Sequence, residues 1–379
     1  MSTATIAQPR SASPRPDASG SPPGRLLSLD ALRGLDMFFL VGFAGILRAL
    51  PKLSDNAFFN WLAAQCAHPD WHGFTAYDVI FPMFIFIVGV AMPFSFAKRL
   101  QQEGGKMKLL KHVLLRTVVL TILGVILWQR PITDLNPEYG WYSVLYRIGF
   151  CYLFAAIILM NTGIRGQIAW AFGLVIGYWL ALRFVPVPGF GMGDFSRGGN
   201  LQTYVRQQVA DALSPDFRVF LSLSLIPSVA NALFGVLTGH WLRSNEPGSK
   251  KAARLLLTGI AAIAIGLLIH LVIPINKKLE TPSFTFVTCG ISAAFLAVFY
   301  WVIDVRGYRK WAFFFVVVGM NSITIYIASY LFKFGEVANV LVGGFDLGNA
   351  KALALATTGA AVKWLFLYYL YRQRCFLNI

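Results

Sequence analysis

A short polar stretch that runs directly into a long apolar one contains the side chains best suited to chemistry. His68 and His72 lie within about ten residues of Asp78, and a long apolar run follows Asp78 at once. An imidazole with a carboxylate partner is the smallest unit that can act as a general base or nucleophile near neutral pH. Ionisable groups at the mouth of a membrane helix are costly to bury. This stretch is therefore the first candidate for catalysis.

Structural roles for the same residues stay open at this point. His68 and His72 could be solvated loop residues. Asp78 could cap the helix that follows, because a carboxylate at a helix N-terminus accepts unpaired backbone N–H groups and meets the helix dipole. Capping and catalysis by Asp78 are compatible.

The composition indicates a membrane protein. Hydrophobic residues make up 56% and charged residues 13% of the 379 residues, and the mean hydropathy is +0.61. This excludes an ordinary soluble domain. The net charge of +16 is better explained by membrane orientation than by nucleic-acid binding. Four widely spaced cysteines lack metal-ligand spacing, so we expect neither a metal site nor a disulfide framework.

Apolar runs long enough to cross a bilayer recur along the chain. They lie at about 31–50, 77–97, 109–128, 142–161, 166–185, 217–242, 253–275, 283–303, 311–332 and 351–371. The sequence thus predicts an all-α, polytopic transmembrane bundle of about 10–11 spans. Residues 1–25 are predicted to be a disordered tail without a cleaved signal peptide, and 26–379 a single domain.

Basic clusters predict the orientation of the bundle. They precede the first span and follow the second, sixth, eighth and tenth, so that all fall on one side of the membrane. The positive-inside rule makes that side cytoplasmic, together with both termini. His68 is then expected on the outer side, with a long Gly-rich outer loop at 186–216 as a flexible lid.

Other polar residues in or beside spans are further candidates. Asp30 and Arg33 share one helix face and form either an interfacial ion pair or a ligand site. Arg147 lies inside the fourth span, where it needs a carboxylate partner or an anionic ligand such as a phosphate or a thioester carbonyl. The remaining candidates, which could also be helix–helix contacts, are Asn276, Lys277, Asn321 and Ser322.

Several motifs, in order and with similar spacing, resemble the heparan-α-glucosaminide N-acetyltransferase family and its bacterial relatives. They cover nearly everything after about residue 25. The matching segments are Ser28–Gly34, His68–Gly89, Arg147–Gly149, Gly193–Tyr204, Ser214–Asp216, Leu225–Ser228, Gly235–Gly239, Pro274–Lys277 and Gly319–Ile323. As a set these motifs are specific, whereas any one of them alone is weak.

The resemblance implies a transmembrane acetyltransferase of the bacterial inner membrane, with a homodimer as the expected assembly. Such proteins take acetyl-CoA from the cytoplasmic side and pass its acetyl group to an amino sugar on the far side. The family's active-site histidine falls on His68 and its aspartate on Asp78. Asp30, Arg33, Trp71, Arg147, Asn276, Lys277, Asn321 and Ser322 are the expected substrate- and acetyl-CoA-binding residues.

Two departures from the family pattern concern the acceptor. An Asn-rich patch of many relatives is replaced by Val41–Gly45, and an Asp-Pro-Glu-Gly motif is reduced to Pro215–Arg218. A small amino sugar such as glucosamine therefore fits better than heparan sulphate. Direct transfer and an acetyl-histidine intermediate both stay open, and the alternative functions are an amino-sugar transporter or a non-catalytic scaffold.

Overall fold

The computed structural model of the protein describes residues 26–128, 143–212 and 222–377. These residues form fourteen helices. In chain order they are α1 Leu27–Leu53, α2 Ala57–Ala64, α3 Ile80–Leu100, α4 Gly105–Trp128, α5 Val144–Asn161, α6 Ile164–Phe184, α7 Leu201–Ala212, α8 Leu225–Leu242, α9 Gly248–His270, α10 Pro282–Val305, α11 Phe313–Met320, α12 Ser322–Leu331, α13 Phe334–Val342 and α14 Lys351–Arg372.

The predicted all-helical membrane bundle is confirmed. Within the described ranges, nine helices are long and apolar enough to cross a bilayer: α1, α3, α4, α5, α6, α8, α9, α10 and α14. A tenth crossing is obtained if α11 and α12 count as one span, although they are bent by 69° relative to each other. The segments of about twenty apolar residues in the sequence account for this agreement.

The span predicted at about 311–332 is present as two helices with a break between them. Asn321 separates α11 from α12 with a non-helical backbone at φ −125° and ψ 33°. Its amide Nδ2 donates a hydrogen bond to the carbonyl of Cys375 at 3.2 Å, and its Oδ1 accepts one from Thr324 at 3.4 Å. Asparagine side chains that bond nearby groups compete with the helical pattern, which explains the break.

Three segments expected to be loops contain helices. These are α2, α7 and α13, which follow α1, α6 and α12. The helix of the sixth span begins at Leu225, and the first residues of that predicted span, 217–221, lie outside the described residues. The predicted tail at 1–25 and the connection at 129–141, between the third and fourth predicted spans, also fall outside them.

Glycines allow the helices that carry the site to pack closely. A Cβ atom at Gly89 of α3 would overlap the carbonyl of Ala232 in α8, and one at Gly235 of α8 would overlap the carbonyl of Phe86 in α3. Small residues at helix contacts are the usual way to bring backbones together in a bilayer, where apolar burial drives little association. The start of α3 is thereby held against the start of α8.

Candidate active site

The start of α3 is built around Asp78. A 3₁₀ turn at Ala76–Val79 precedes the helix, and Thr75 and Asp78 form a reciprocal capping box. The backbone N–H of Thr75 donates to Asp78 Oδ2 at 3.0 Å, and its hydroxyl donates to the carbonyl of Ala67 at 2.8 Å. One carboxylate oxygen is therefore used to start the helix, and the other remains available.

The available oxygen of Asp78 pairs with His68. Asp78 Oδ1 lies 2.7 Å from His68 Nδ1, with the aspartate side chain fully buried and the imidazole 43% exposed. A carboxylate at Nδ1 favours the tautomer that carries the proton there, which leaves Nε2 free to accept a proton. The structure thus brings together the two residues that the sequence singled out for general-base chemistry.

A lysine completes this cluster. Lys277 Nζ lies 3.0 Å from His68 Nε2 and 3.6 Å from Asp78 Oδ1. Burial lowers the pKa of Lys277 to about 8, although the negative charges of Asp78 and Glu280 oppose that shift. The amine is therefore less firmly protonated than an exposed lysine, and it faces the imidazole.

Asn276 holds the turn that positions Lys277. Its Oδ1 accepts the backbone N–H of Leu279 at 2.9 Å, and its Nδ2 lies 3.3 Å from His72 Nδ1. The asparagine side chain is completely buried. Burial and the neighbouring His270 lower the pKa of His72. Asn276 and His72 therefore belong to the scaffold behind Lys277.

Arg147 has the carboxylate partner that one of its two interpretations required. It forms a buried ion pair with Glu280 and donates to Ser224 at 3.1 Å and to Ser228 at 3.2 Å. Burial raises the pKa of Glu280, and Arg147 opposes that rise. Sequence reasoning missed Glu280, although an arginine inside a span indicates that a buried acid must lie nearby.

A cavity of about 460 Å³ opens in front of His68, and we call it the polar cavity. Five basic side chains line it: Arg147, Arg197, Arg206, Lys277 and Lys278. Trp71 also lines it, and Arg197 and Lys278 lie 5.6 Å and 5.8 Å from the centre of its ring. Trp71 Nε1 donates to the carbonyl of Phe195 at 2.7 Å, so the predicted lid segment packs against this cavity.

A second cavity of about 280 Å³ lies on the other side of His68, and we call it the apolar cavity. Its walls are mainly apolar and aromatic, and they include Leu40, Phe81 and Phe84. Both His68 and Lys277 line the two cavities. The imidazole and the amine therefore lie where the cavities meet.

Asp36 is an acidic residue that sequence reasoning missed. It lines the apolar cavity, is only 4% exposed, and its Oδ2 has no hydrogen-bond partner among the described residues. A lone carboxyl in such surroundings is costly, which makes it a functional candidate. The signal was present in the sequence, since Asp36 interrupts the apolar run of the first span.

Comparisons with known proteins give one family model and two curated relatives. A family model described as a domain of unknown function (DUF5009) matches residues 25–205. Heparan-alpha-glucosaminide N-acetyltransferase from Homo sapiens is 25% identical over 428 residues, which cover 94% of this chain and 60% of the relative. The same enzyme from Mus musculus is 27% identical over 392 residues, which cover 85% and 56%.

The chain is similar to the heparan-alpha-glucosaminide N-acetyltransferases over most of its length. This relationship confirms the resemblance seen in the sequence motifs. The chain spans less than two thirds of the length of the curated relatives that it matches.

The structure divides the predicted site residues into two groups. His68, Asp78, Trp71, Arg147 and Lys277 line the polar cavity, and Asn276 supports it from behind. The other predicted residues, Asp30, Arg33, Asn321 and Ser322, line neither cavity.

Asp30 and Arg33 lie at the opposite end of the bundle. They form an ion pair at 3.6 Å near the start of α1. Asp304, close to the end of α10, accepts two backbone N–H groups from the start of α1 at 3.2 and 3.3 Å. Since α10 begins beside the His68 cluster, the start of α1 is a full helix length away. Asp30 and Arg33 therefore lie far from the His68 cluster, and their role in binding acetyl-CoA stays a prediction.

Proposed function

We propose that the protein transfers the acetyl group of acetyl-CoA to the amine of a small amino sugar such as glucosamine. The observation that carries this proposal is the His68–Asp78 pair, 2.7 Å apart, at the point where two cavities with different lining residues meet. A transferase of this kind must bring a donor and an acceptor to one general base from two directions. The relationship to N-acetyltransferases supports the same reaction.

His68 is the proposed general base. Its Nε2 takes a proton from the acceptor amine as the nitrogen attacks the thioester carbonyl, and the Asp78 carboxylate stabilises the resulting imidazolium. Lys277, in its charged form, stabilises the negative charge that develops on the carbonyl oxygen. Arg147 is less well placed for that role, because one of its terminal nitrogens is paired with Glu280. An acetyl group carried by His68 itself remains the alternative chemical route.

The two cavities are proposed to hold the two substrates. The polar cavity suits an amino sugar, because Trp71 offers an aromatic face and the lining offers many hydrogen-bond groups. The apolar cavity suits the slender pantetheine arm of acetyl-CoA. By the positive-inside rule the polar cavity faces outward and acetyl-CoA arrives from the cytoplasm. Asp30 and Arg33 would then lie at the cytoplasmic end, where the nucleotide of acetyl-CoA docks.

The proposed location is the inner membrane of a bacterium, and the proposed assembly is a homodimer. Both rest on the resemblance of the sequence motifs. Acetyl-CoA is a co-substrate in this reaction, and no resident cofactor or metal is invoked.

The reaction is tested with purified protein, acetyl-CoA and glucosamine. We expect free thiol to be released in proportion to N-acetylglucosamine, and we expect both products to be lost in the His68→Ala variant. Equal inactivity of wild type and His68→Ala with every amino sugar tried would overturn the enzyme proposal. The variant is checked for correct folding by size-exclusion chromatography.

A transporter is the second candidate, favoured by the 69° break between α11 and α12. Transporters with discontinuous helices usually have a matching pair in their two halves, whereas the described ranges contain one such break. Uptake of amino sugar into vesicles without thiol release would favour transport.

A further inference from the structure

Lys277 places an amine at the point where the proposed reaction occurs. Its Nζ lies 3.0 Å from His68 Nε2, the nitrogen that would take the proton from an acceptor amine. Lys277 also lines both cavities, so it is open to a donor in one and to an acceptor in the other. The next residue, Lys278, donates to the carbonyl of Asp70 and lies beside Trp71. Lys277 therefore lies next to the proposed base, His68, whereas Lys278 contacts Asp70 and Trp71.

We propose, on the basis of the acetyl transfer proposed above, that Lys277 is a self-acetylation site when no acceptor is bound. The neutral amine of Lys277 attacks the thioester carbonyl. A carbon–nitrogen bond forms and the carbon–sulfur bond breaks. The displaced N–H proton passes through His68 Nε2 to the leaving sulfur, which gives acetyl-lysine and a free thiol. Neither an oxidant nor a further reactant is needed.

The charges around Lys277 allow part of the amine to be neutral. The groups that face it are His68, Asp78, Glu280 and Arg147. Burial has the largest effect and lowers the pKa of Lys277 to about 8, while the two carboxylates oppose this. The neutral fraction, and with it the rate of self-acetylation, should rise with pH through about 8. An ordinary lysine would require a pH above about 10 for the same fraction.

The modification would switch the protein off. Acetyl-lysine is an amide, so His68 cannot readily release it as it could release an acetyl group from its own imidazole. Acetylation also removes the positive charge that lies 3.6 Å from Asp78 Oδ1. The site would lose the cation assigned to the carbonyl oxygen, and the protein would limit its own thioester consumption when acceptor is scarce.

The experiment incubates the purified full chain with acetyl-CoA labelled in the acetyl group, without acceptor, and maps the label by peptide mass spectrometry. Hydroxylamine treatment then separates the two chemical routes, because it removes acetyl-imidazole and leaves acetyl-lysine. We expect hydroxylamine-stable label on Lys277, slower labelling in excess glucosamine, and loss of later transfer in proportion to the labelled fraction. We expect no such label in His68→Ala.

The matched control is Lys333→Arg. Lys333 is also a lysine with a carboxylate partner, Glu336 at 2.8 Å, but its side chain is 79% exposed. This variant should leave labelling of Lys277 unchanged, whereas Lys277→Arg should abolish the stable label.

Three results would overturn the inference. The first is a preparation that acetylates glucosamine but carries no stable label on Lys277, which would leave the proposed function intact. The second is equal labelling of Lys277 and Lys333, which would indicate non-enzymatic acetylation. The third is a wild type that acetylates neither glucosamine nor itself, in which case the proposed function fails as well.

Discussion

The two cavities that meet at His68 share that residue and Lys277, but they differ in volume and in the other charged side chains that line them. The polar cavity is the larger, at about 460 Å³ against about 280 Å³, and basic side chains line it. The apolar cavity has aliphatic and aromatic walls with one unpartnered carboxyl, Asp36. A single cavity with these combined properties would have to hold a hydrated sugar and the longer, less polar pantetheine arm against the same walls.

Two separate cavities can surround each substrate with the groups that replace the water it loses on binding. A sugar loses its water when it binds, so it needs hydrogen-bond groups around it. An acyl-carrying arm gains from apolar walls, which also keep water away from the thioester. This difference supports the proposal that the acceptor binds in the polar cavity and the donor in the apolar cavity, and each assignment can be tested by mutation.

The largest effect is expected at the shared residue. His68→Ala removes the proposed general base, so kcat/KM should fall roughly 10²–10⁴-fold for donor and acceptor alike. Steady-state kinetics with each substrate varied in turn measure this. His72→Ala is the comparison variant, because His72 bonds to Asn276 behind the site; an equal loss in that variant would contradict the assignment of His68.

Asp78→Asn should separate catalysis from helix capping. The amide oxygen of asparagine can still accept the backbone N–H of Thr75, as glutamine can replace glutamate at this position of a capping box, so the melting temperature should change little. The charge that orients and stabilises His68 is lost, and kcat should fall by roughly 10²-fold. Thermal melts and initial rates on the same preparation measure both effects. If stability and activity fell together, Asp78 would be a purely structural residue.

Trp71→Ala tests the polar cavity alone. Loss of an aromatic contact of about 0.5–1.5 kcal/mol should raise the KM for glucosamine by up to about tenfold. The KM for acetyl-CoA should stay unchanged, because Trp71 lies on the polar side. Equal increases in both constants would show that the two cavities are not used separately.

Asp36→Leu is the matching test of the apolar cavity, with the smallest expected effect. If Asp36 accepts a hydrogen bond from an amide of the pantetheine arm, the KM for acetyl-CoA should rise by about fivefold. An acetyl thioester of a simple alkyl thiol has no such amide, so its KM should not change. If the KM for glucosamine rose instead, Asp36 would belong to the binding site of the acceptor.

Much of the architecture could be predicted because it depends on local composition. The second span was predicted at 77–97 and the candidate span in the structure is Ala76–Ala97. Apolar length sets such spans by itself. The break at Asn321 could not be predicted, because it depends on a partner, Cys375, more than fifty residues away in the chain.

The part of the site that could be predicted is the part whose residues lie close together in the sequence. His68 and Asp78 lie on either side of a helix start, so their pairing follows from a local turn. The partner of Arg147 was predictable as a type of residue, but Glu280 lies 133 residues away in sequence and helix packing alone brings it near. Asp36 stood out by its charge within an apolar run, but its importance depends on the cavity around it.

The sequence by itself determined an all-helical membrane protein of about ten spans and the pair His68 and Asp78, because hydropathy and capping act over a few residues. Tertiary structure alone decided that Lys277 lies 3.0 Å from His68 and that two unlike cavities meet there. The turn that positions Lys277 follows α9, while His68 precedes α3. Only close helix packing, with glycines at the contacts, brings such distant segments within reach of one another.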